Sequence, residues 1–120
     1  MTAEETFVLA LEQCETGGID RSWGDDGRAC GAWQIHPGMY ASWGPRPEDF
    51  GRQECSWRWA FCFAVRKFYR AARESDPGRD LTAIAMAFHL HGQVVWDGWD
   101  DAYAMRFERA VNSLAPAARG

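Results

Sequence analysis

Apolar side chains recur at intervals of three and four residues over four stretches of this chain, a spacing typical of helices with one buried face. The first stretch carries Phe7, Leu11 and Cys14 in this pattern. Thr2 and Glu5 precede it as T-x-x-E, a pair that caps the first turn of a helix. We therefore predict a helix that starts just after Thr2 and ends at the glycine pair 17–18, where a left-handed cap is expected.

Three more helices follow from the same periodicity. They are predicted to span about 49–74 (or 53–74), 81–90 and 97–114 (or 100–114). Asp80 is the predicted N-cap of the middle one, and residues 39–43 add a short helical turn. The tail, residues 115–120, is expected to fray.

The segment ETGGIDRSWGDDGRACGAWQIHP, residues 15–37, has a different composition, rich in glycine and acidic residues. Its Asp26-Gly27 pair lies between short polar and aromatic stretches, which predicts an antiparallel hairpin within residues 21–35. No repeat divides the chain. The predicted fold class is therefore α+β, mostly helical with one small antiparallel hairpin, in a single domain over residues 1–120.

Charge and hydropathy narrow the possible partners. The chain carries 13 basic and 17 acidic residues, a formal net charge of −4, so nucleic acid, which needs a basic face, is not an expected partner. No apolar run approaches the about 18 residues of a membrane-spanning helix, and no membrane insertion is expected. The start, MTAEETFVLALEQ, has acids where a signal peptide has bases. We expect synthesis in the cytoplasm without export by that route.

The cysteines and histidines do not predict a metal site. No CxxC pair occurs, which argues against zinc. His89 and His91, with one residue between them on a helix, point to different sides, which argues against a metal site that would also include His36. Four cysteines allow three disulfide pairings, and the alternative, buried reduced thiols, is favoured by the lack of a signal peptide. The cysteines are Cys14, Cys30, Cys55 and Cys62. No metal and no cofactor are expected.

Glu15 is the first candidate for chemistry. It lies four residues after Leu11 and eight after Phe7, so a helix places it on the buried stripe. It also lies at the helix C-terminus, where the macrodipole is negative. Burial and dipole both disfavour a charged carboxylate, which suits a general acid that must hold a proton for a leaving oxygen. Seven tryptophans add candidate platforms for sugar rings.

Two motifs in residues 15–37 resemble the catalytic region of the lysozyme superfamily, most closely lytic transglycosylases, goose-type lysozymes and related phage enzymes. The shared pattern is a helix ending in Glu-Ser/Thr, a loop or hairpin, and then Gly-x-x-Gln-Ile/Val. Here these positions are Glu15-Thr16 and Gly31-Ala32-Trp33-Gln34-Ile35. Further on, LTAIAMAFHLHG stands where such proteins carry an Ala-rich helix ending in Tyr-Asn-x-Gly, and WDGWDDAYAMRFERAV resembles their closing helix. The likeness spans most of the chain.

The resemblance implies a groove between a helical lobe and a hairpin lobe, with peptidoglycan strands as the substrate. It makes Glu15 the acid that cleaves the β-1,4 bond between N-acetylmuramic acid and N-acetylglucosamine, in a muramidase or a lytic transglycosylase. Gln34 would hydrogen-bond the substrate or shape the hairpin, and Trp33 or Trp23 would line sugar subsites. The other candidate binding residues are His36, Phe88 and His89.

A second carboxylate is left open by the sequence. Inverting hydrolysis needs a base about 6.5–9.5 Å from the acid to activate water. Asp25 is the preferred candidate over Asp26, although an Asp before Gly also serves a turn. A lytic transglycosylase needs no second carboxylate, because a hydroxyl of the sugar itself closes a ring.

The chain departs from the family pattern at Phe88-His89, which stand where the family has Tyr-Asn. The tyrosine hydroxyl and the asparagine amide are both missing there, although His89 can still donate a hydrogen bond. This departure motivates the alternative function, a catalytically weak lysozyme-like module that binds glycan or serves in a virion. In either case we expect a monomer that reaches the cell wall through virion or holin-type delivery.

Overall fold

The computed structural model describes residues 1–17, 29–49, 57–90, 92–94 and 98–119. Over these residues the chain forms α-helices α1 (Ala3–Thr16), α2 (Pro37–Trp43), α3 (Trp57–Ser75), α4 (Leu81–Leu90) and α5 (Asp101–Arg119). A 3-10 turn, Pro47–Asp49, follows α2. Helices α1, α3, α4 and α5 correspond to the four predicted from periodicity, and α2 contains the predicted short turn.

Side-chain caps fix the starts of two helices where the sequence predicts them. The Thr2 hydroxyl accepts a hydrogen bond from the Glu5 amide at 3.1 Å. The Asp80 carboxylate accepts one from the Ala83 amide at 2.8 Å. Each cap gives a partner to an amide that the helix itself leaves unpaired. At the other end of α1, Gly17 has φ 67°, which confirms the left-handed cap.

The predicted start of α3 lies mostly outside the described residues, and the end of α5 differs from its prediction. Helix α3 is described from Trp57, and most of the stretch in which its start was predicted lies in residues 50–56, outside the described part of the chain. Helix α5 continues to Arg119, beyond the predicted end at Leu114. Fraying of residues 115–120 stays a prediction.

The α+β class is wrong, because every regular element in the described ranges is helical. In residues 29–35, the described part of the predicted hairpin, Cys30 and Ile35 form an isolated antiparallel bridge, with backbone hydrogen bonds of 3.1 and 2.8 Å. The bridge closes a tight turn that begins at Gly31, whose φ is 84°. Ala32, Trp33 and Ile35 are all buried, so this segment lacks the alternation of a half-buried strand. The predicted Asp-Gly turn lies in residues 18–28, outside the described part.

The core lies around α1, which packs against α3, α4 and α5. Its largest fully buried side chains include those of Phe7, Leu11, Trp33, Phe68, Tyr103 and Phe107. Because α1 is surrounded on three sides, the orientation of its last turn is fixed by packing. No helix in the described ranges has the length and apolar character to cross a membrane.

Candidate active site

Glu15 lies in the last turn of α1, one residue before the helix ends, with 14% of its side chain exposed. It lines a groove of about 630 Å³. The groove wall also includes the turn before α2, the start of α2 and the end of α4. The carboxyl group is therefore half-enclosed and still reachable from solvent, as a group that acts on a bound molecule must be.

The buried hydroxyl of Tyr103, on α5, holds one oxygen of this carboxyl group. Tyr103 is 1% exposed, and its hydroxyl donates to Glu15 Oε1 at 2.7 Å. Burial raises the pKa of Tyr103 well above its ordinary value, and the charge of Glu15 raises it further. The hydroxyl therefore keeps its proton and remains a donor. Since Oε1 accepts this bond, a protonated Glu15 carries its own proton on Oε2.

His89, the penultimate residue of α4, faces the same oxygen. Its Nδ1 lies 3.4 Å from Glu15 Oε1, and its Nε2 lies 3.9 Å from Asp100 Oδ2. The imidazole stacks on the Tyr103 ring, with centroids 3.7 Å apart and planes 11° apart. Both nitrogen distances exceed those of good hydrogen bonds, so these contacts act through charge when the imidazole is protonated.

Gln34 also lines the groove, in a strained backbone conformation. Its φ is 50°, in the left-handed region that residues other than glycine rarely adopt. Its side-chain Nε2 donates to the Gly31 carbonyl at 3.0 Å, which leaves Oε1 as an acceptor for an incoming N–H or O–H group. The Thr16 hydroxyl donates to the Ala32 carbonyl at 2.6 Å and ties this turn to the end of α1. Glu15 and Gln34 thus keep a fixed relative position.

Five of the residues predicted from the sequence line this one groove. They are Glu15, Gln34, His36, Phe88 and His89. Phe88 is almost fully buried and packs edge-on against Phe68, so it contributes an apolar wall. Within the described lining, Glu15 is the one carboxylate.

Trp33 does not fit its predicted role as a sugar platform. It is 2% exposed, and its indole N–H donates to the Val8 carbonyl at 3.0 Å inside the core. A sugar ring needs an open aromatic face, and this indole is covered by packing. We therefore correct the prediction: Trp33 is part of the hydrophobic core and not a sugar platform. Trp23, Asp25 and Asp26 lie outside the described residues.

Tyr103 and Asp100 belong to the site although the sequence reasoning missed them. Helical periodicity places Tyr103 on the apolar stripe of α5, which accounts for its ring and not for its hydroxyl. A buried tyrosine hydroxyl usually has a hydrogen-bond partner, and that rule was the available signal. The partner lies 88 positions away along the chain.

Neither a disulfide nor a metal-binding cluster occurs among the described residues. Cys14, Cys30 and Cys62 are free, and Cys55 lies outside the described residues. Burial raises the pKa of the Cys14 thiol, whose Sγ lies 3.9 Å from the Tyr103 carbonyl. In the ranges that the structure describes, no three His, Cys, Asp or Glu side chains are placed to hold a metal ion.

The chain was compared with protein-family models, with curated proteins and with solved structures, and no match was found in any of the three. The resemblance to lysozyme-like enzymes therefore rests on the motifs of the chain itself.

Proposed function

We propose that this protein cleaves the glycan strands of peptidoglycan at the β-1,4 bond between N-acetylmuramic acid and N-acetylglucosamine, with Glu15 as the general acid. The observation that carries the proposal is the half-enclosed Glu15 carboxyl group at the groove wall, with one oxygen held by Tyr103 at 2.7 Å. A glycosidase of this type needs one carboxyl group with a defined proton-bearing oxygen next to the bound glycan.

The composition of the groove suits a sugar chain. Met39, Phe88 and Leu90 supply apolar surface, and Gln34 and His36 supply polar groups. Sugar rings present both apolar faces and hydroxyl or amide groups, so they match a wall of mixed character. A volume of about 630 Å³ lies within the range of small-molecule sites, about 300–1,000 Å³.

In the proposed reaction, the carboxyl group of Glu15 carries out both proton transfers. Glu15 passes the proton on Oε2 to the glycosidic oxygen while the C1–O bond breaks and leaves its electron pair on that oxygen. C1 then carries positive charge opposite a Glu15 carboxylate. An incoming hydroxyl attacks C1, and its proton returns to Glu15. Water as the attacker gives a muramidase, and the sugar's own hydroxyl gives a lytic transglycosylase. Hydrolysis with a separate base would use Asp25 or Asp26.

Loss of turbidity of purified cell walls tests the proposal. The wild-type protein should clear the suspension, and Glu15→Gln, which keeps the shape and removes the acid, should not. Glu5→Gln is a matched control, because it makes the same change on the exposed side of α1 and Glu5 does not line the groove. Equal clearing by Glu15→Gln would refute the role of Glu15.

A glycan-binding module without cleavage is the second candidate, and the Phe88-His89 pair in the groove wall favours it. Neither side chain has the tyrosine hydroxyl or the asparagine amide of the family pattern. Such a protein would sediment with peptidoglycan and release neither reducing ends nor anhydro-sugars. Either function places the site of action at the cell wall, with virion or holin-type delivery as the proposed route.

A further inference from the structure

Asp100, His89 and Glu15 form a line of alternating acid, imidazole and acid at one end of the groove. His89 lies in the middle, with Nδ1 3.4 Å from Glu15 Oε1 and Nε2 3.9 Å from Asp100 Oδ2. Each nitrogen thus faces a carboxylate oxygen. Only an imidazole that carries a proton on both nitrogens presents an N–H to each acid.

The imidazole plane is set by the Tyr103 ring beneath it. The two rings stack at 3.7 Å with an interplanar angle of 11°. Tyr103 also donates to Glu15 Oε1, so one residue positions both the acid and its neighbour. A cationic ring over an electron-rich aromatic face is itself favourable.

Asp100 is oriented by the start of α5. Its Oδ1 accepts a hydrogen bond from the Tyr103 amide at 3.1 Å, as an N-cap does. That bond turns Oδ2 toward His89. The Asp100 carboxylate therefore both caps α5 and faces His89. Its charge is needed only for the contact with His89.

We infer that His89 and Asp100 are positioning residues that strengthen Glu15 as an acid, by stabilising the carboxylate that it becomes when its proton leaves. This rests on the proposed function. In the step itself the proton moves from Glu15 Oε2 to the glycosidic oxygen, and the negative charge left on Glu15 faces the His89 imidazolium. A charge that appears only in the transition state is stabilised there and not in the bound ground state, so kcat is affected and KM is not.

The way kcat depends on the leaving group of the substrate separates this role from a structural one. Protein variants His89→Gln and Asp100→Asn are assayed on peptidoglycan, whose leaving oxygen needs a proton, and on an aryl β-glycoside of the same sugars, whose phenolate leaves without one. Asp80→Asn is the matched control, because Asp80 is the N-cap of α4 and does not face His89. Asparagine is also a good N-cap, so both Asp→Asn changes remove charge and retain the cap.

On peptidoglycan we expect kcat to fall about tenfold in His89→Gln and about threefold in Asp100→Asn, with KM within about twofold of wild type. On the aryl glycoside the fall in kcat should be several-fold smaller than on peptidoglycan in both variants, and Asp80→Asn should match wild type on both substrates.

Equal losses on the two substrates would overturn the inference, as would equal behaviour of Asp100→Asn and Asp80→Asn. A gain of activity in His89→Gln would also overturn it, and would mean that the imidazole holds Glu15 in an inactive carboxylate form. Failure of the proposed function looks different: the wild-type protein would cleave neither substrate, or Glu15→Gln would still cleave peptidoglycan.

Discussion

At the scale of single residues, the two carboxyl oxygens of Glu15 have different surroundings. Oε1 accepts from Tyr103 at 2.7 Å, and this leaves Oε2 to hold the proton that the proposed mechanism transfers. A neutral carboxyl group accepts only weakly, whereas a carboxylate accepts strongly. The Tyr103 hydrogen bond therefore strengthens as Glu15 loses its proton, which is when an acid catalyst needs support.

Tyr103→Phe should lower kcat on peptidoglycan about tenfold and leave KM nearly unchanged, because the lost hydrogen bond is strongest in the transition state. Tyr69→Phe is the matched control. Tyr69 is also buried, but the partner of its hydroxyl is Arg73 Nε at 3.0 Å and not Glu15. Steady-state kinetics on soluble glycan strands measure the split. A loss confined to KM, or an equal loss in Tyr69→Phe, would contradict this role.

Tyr103 should also make the free energy of unfolding depend on pH in the alkaline range. The pKa of Tyr103 is raised in the folded state, chiefly by burial and then by the charge of Glu15. Its contribution to stability is therefore fully present below the unfolded value of about 10, and is lost as pH rises from there toward the folded value. Urea unfolding between pH 8 and 11 should show a decline in the free energy of unfolding above about pH 10 that is smaller in Tyr103→Phe. Parallel declines in the two proteins would exclude Tyr103 as the cause.

At the scale of elements, the end of α1 determines where the acid lies. Gly17 closes the helix with φ 67°, and the Thr16 hydroxyl joins the turn of residues 31–35 to the last helical turn. The sequence predicted this stop because a cap needs only neighbouring residues. It did not predict the single bridge between Cys30 and Ile35, since Gly-x-x-Gln indicates a turn and not the number of residues that pair across it.

Gly17→Ala should reduce the free energy of unfolding by about 1 kcal/mol, because alanine is strained in the left-handed region. Among the described residues a Cβ at this position meets nothing within 4 Å, so backbone strain rather than a clash causes the loss. Gly38→Ala is the matched control, since its Cβ is equally free and its φ lies outside the left-handed region. We expect that change to be stabilising by about 0.5 kcal/mol. Equal effects of the two substitutions in urea unfolding would contradict the cap.

At the scale of the whole molecule, helices α1, α3, α4 and α5 share one core, and the groove lies where α1 and α4 both end. Periodicity and caps predicted the helices, and the motifs around Glu15 and Gln34 contain two residues that line the groove. Burial of Trp33 and the partnership of Tyr103 with Glu15 could not be read from the sequence. Both depend on residues that meet only after folding, 25 positions apart for Trp33 and Val8 and 88 for Tyr103 and Glu15.

Trp33→Phe tests whether Trp33 contributes to the core or to glycan binding in the groove. It removes a buried hydrogen bond to the Val8 carbonyl and part of a packed ring, so the free energy of unfolding should fall by about 2 kcal/mol. Affinity for soluble glycan strands should not change, because the indole has no open face. Calorimetric titration and urea unfolding measure the two quantities. Weaker glycan binding at unchanged stability would restore Trp33 as a sugar platform.

Mass spectrometry of digested cell walls tests the central claim most directly. Wild-type protein, Glu15→Gln and the Glu5→Gln control are each incubated with purified peptidoglycan, and the released muropeptides are weighed. We predict disaccharide products from the wild type and the control and none from Glu15→Gln. Anhydromuramic ends would identify a transglycosylase and reducing ends a hydrolase. The same products from Glu15→Gln as from the wild type, or no products from any of the three, would contradict the account.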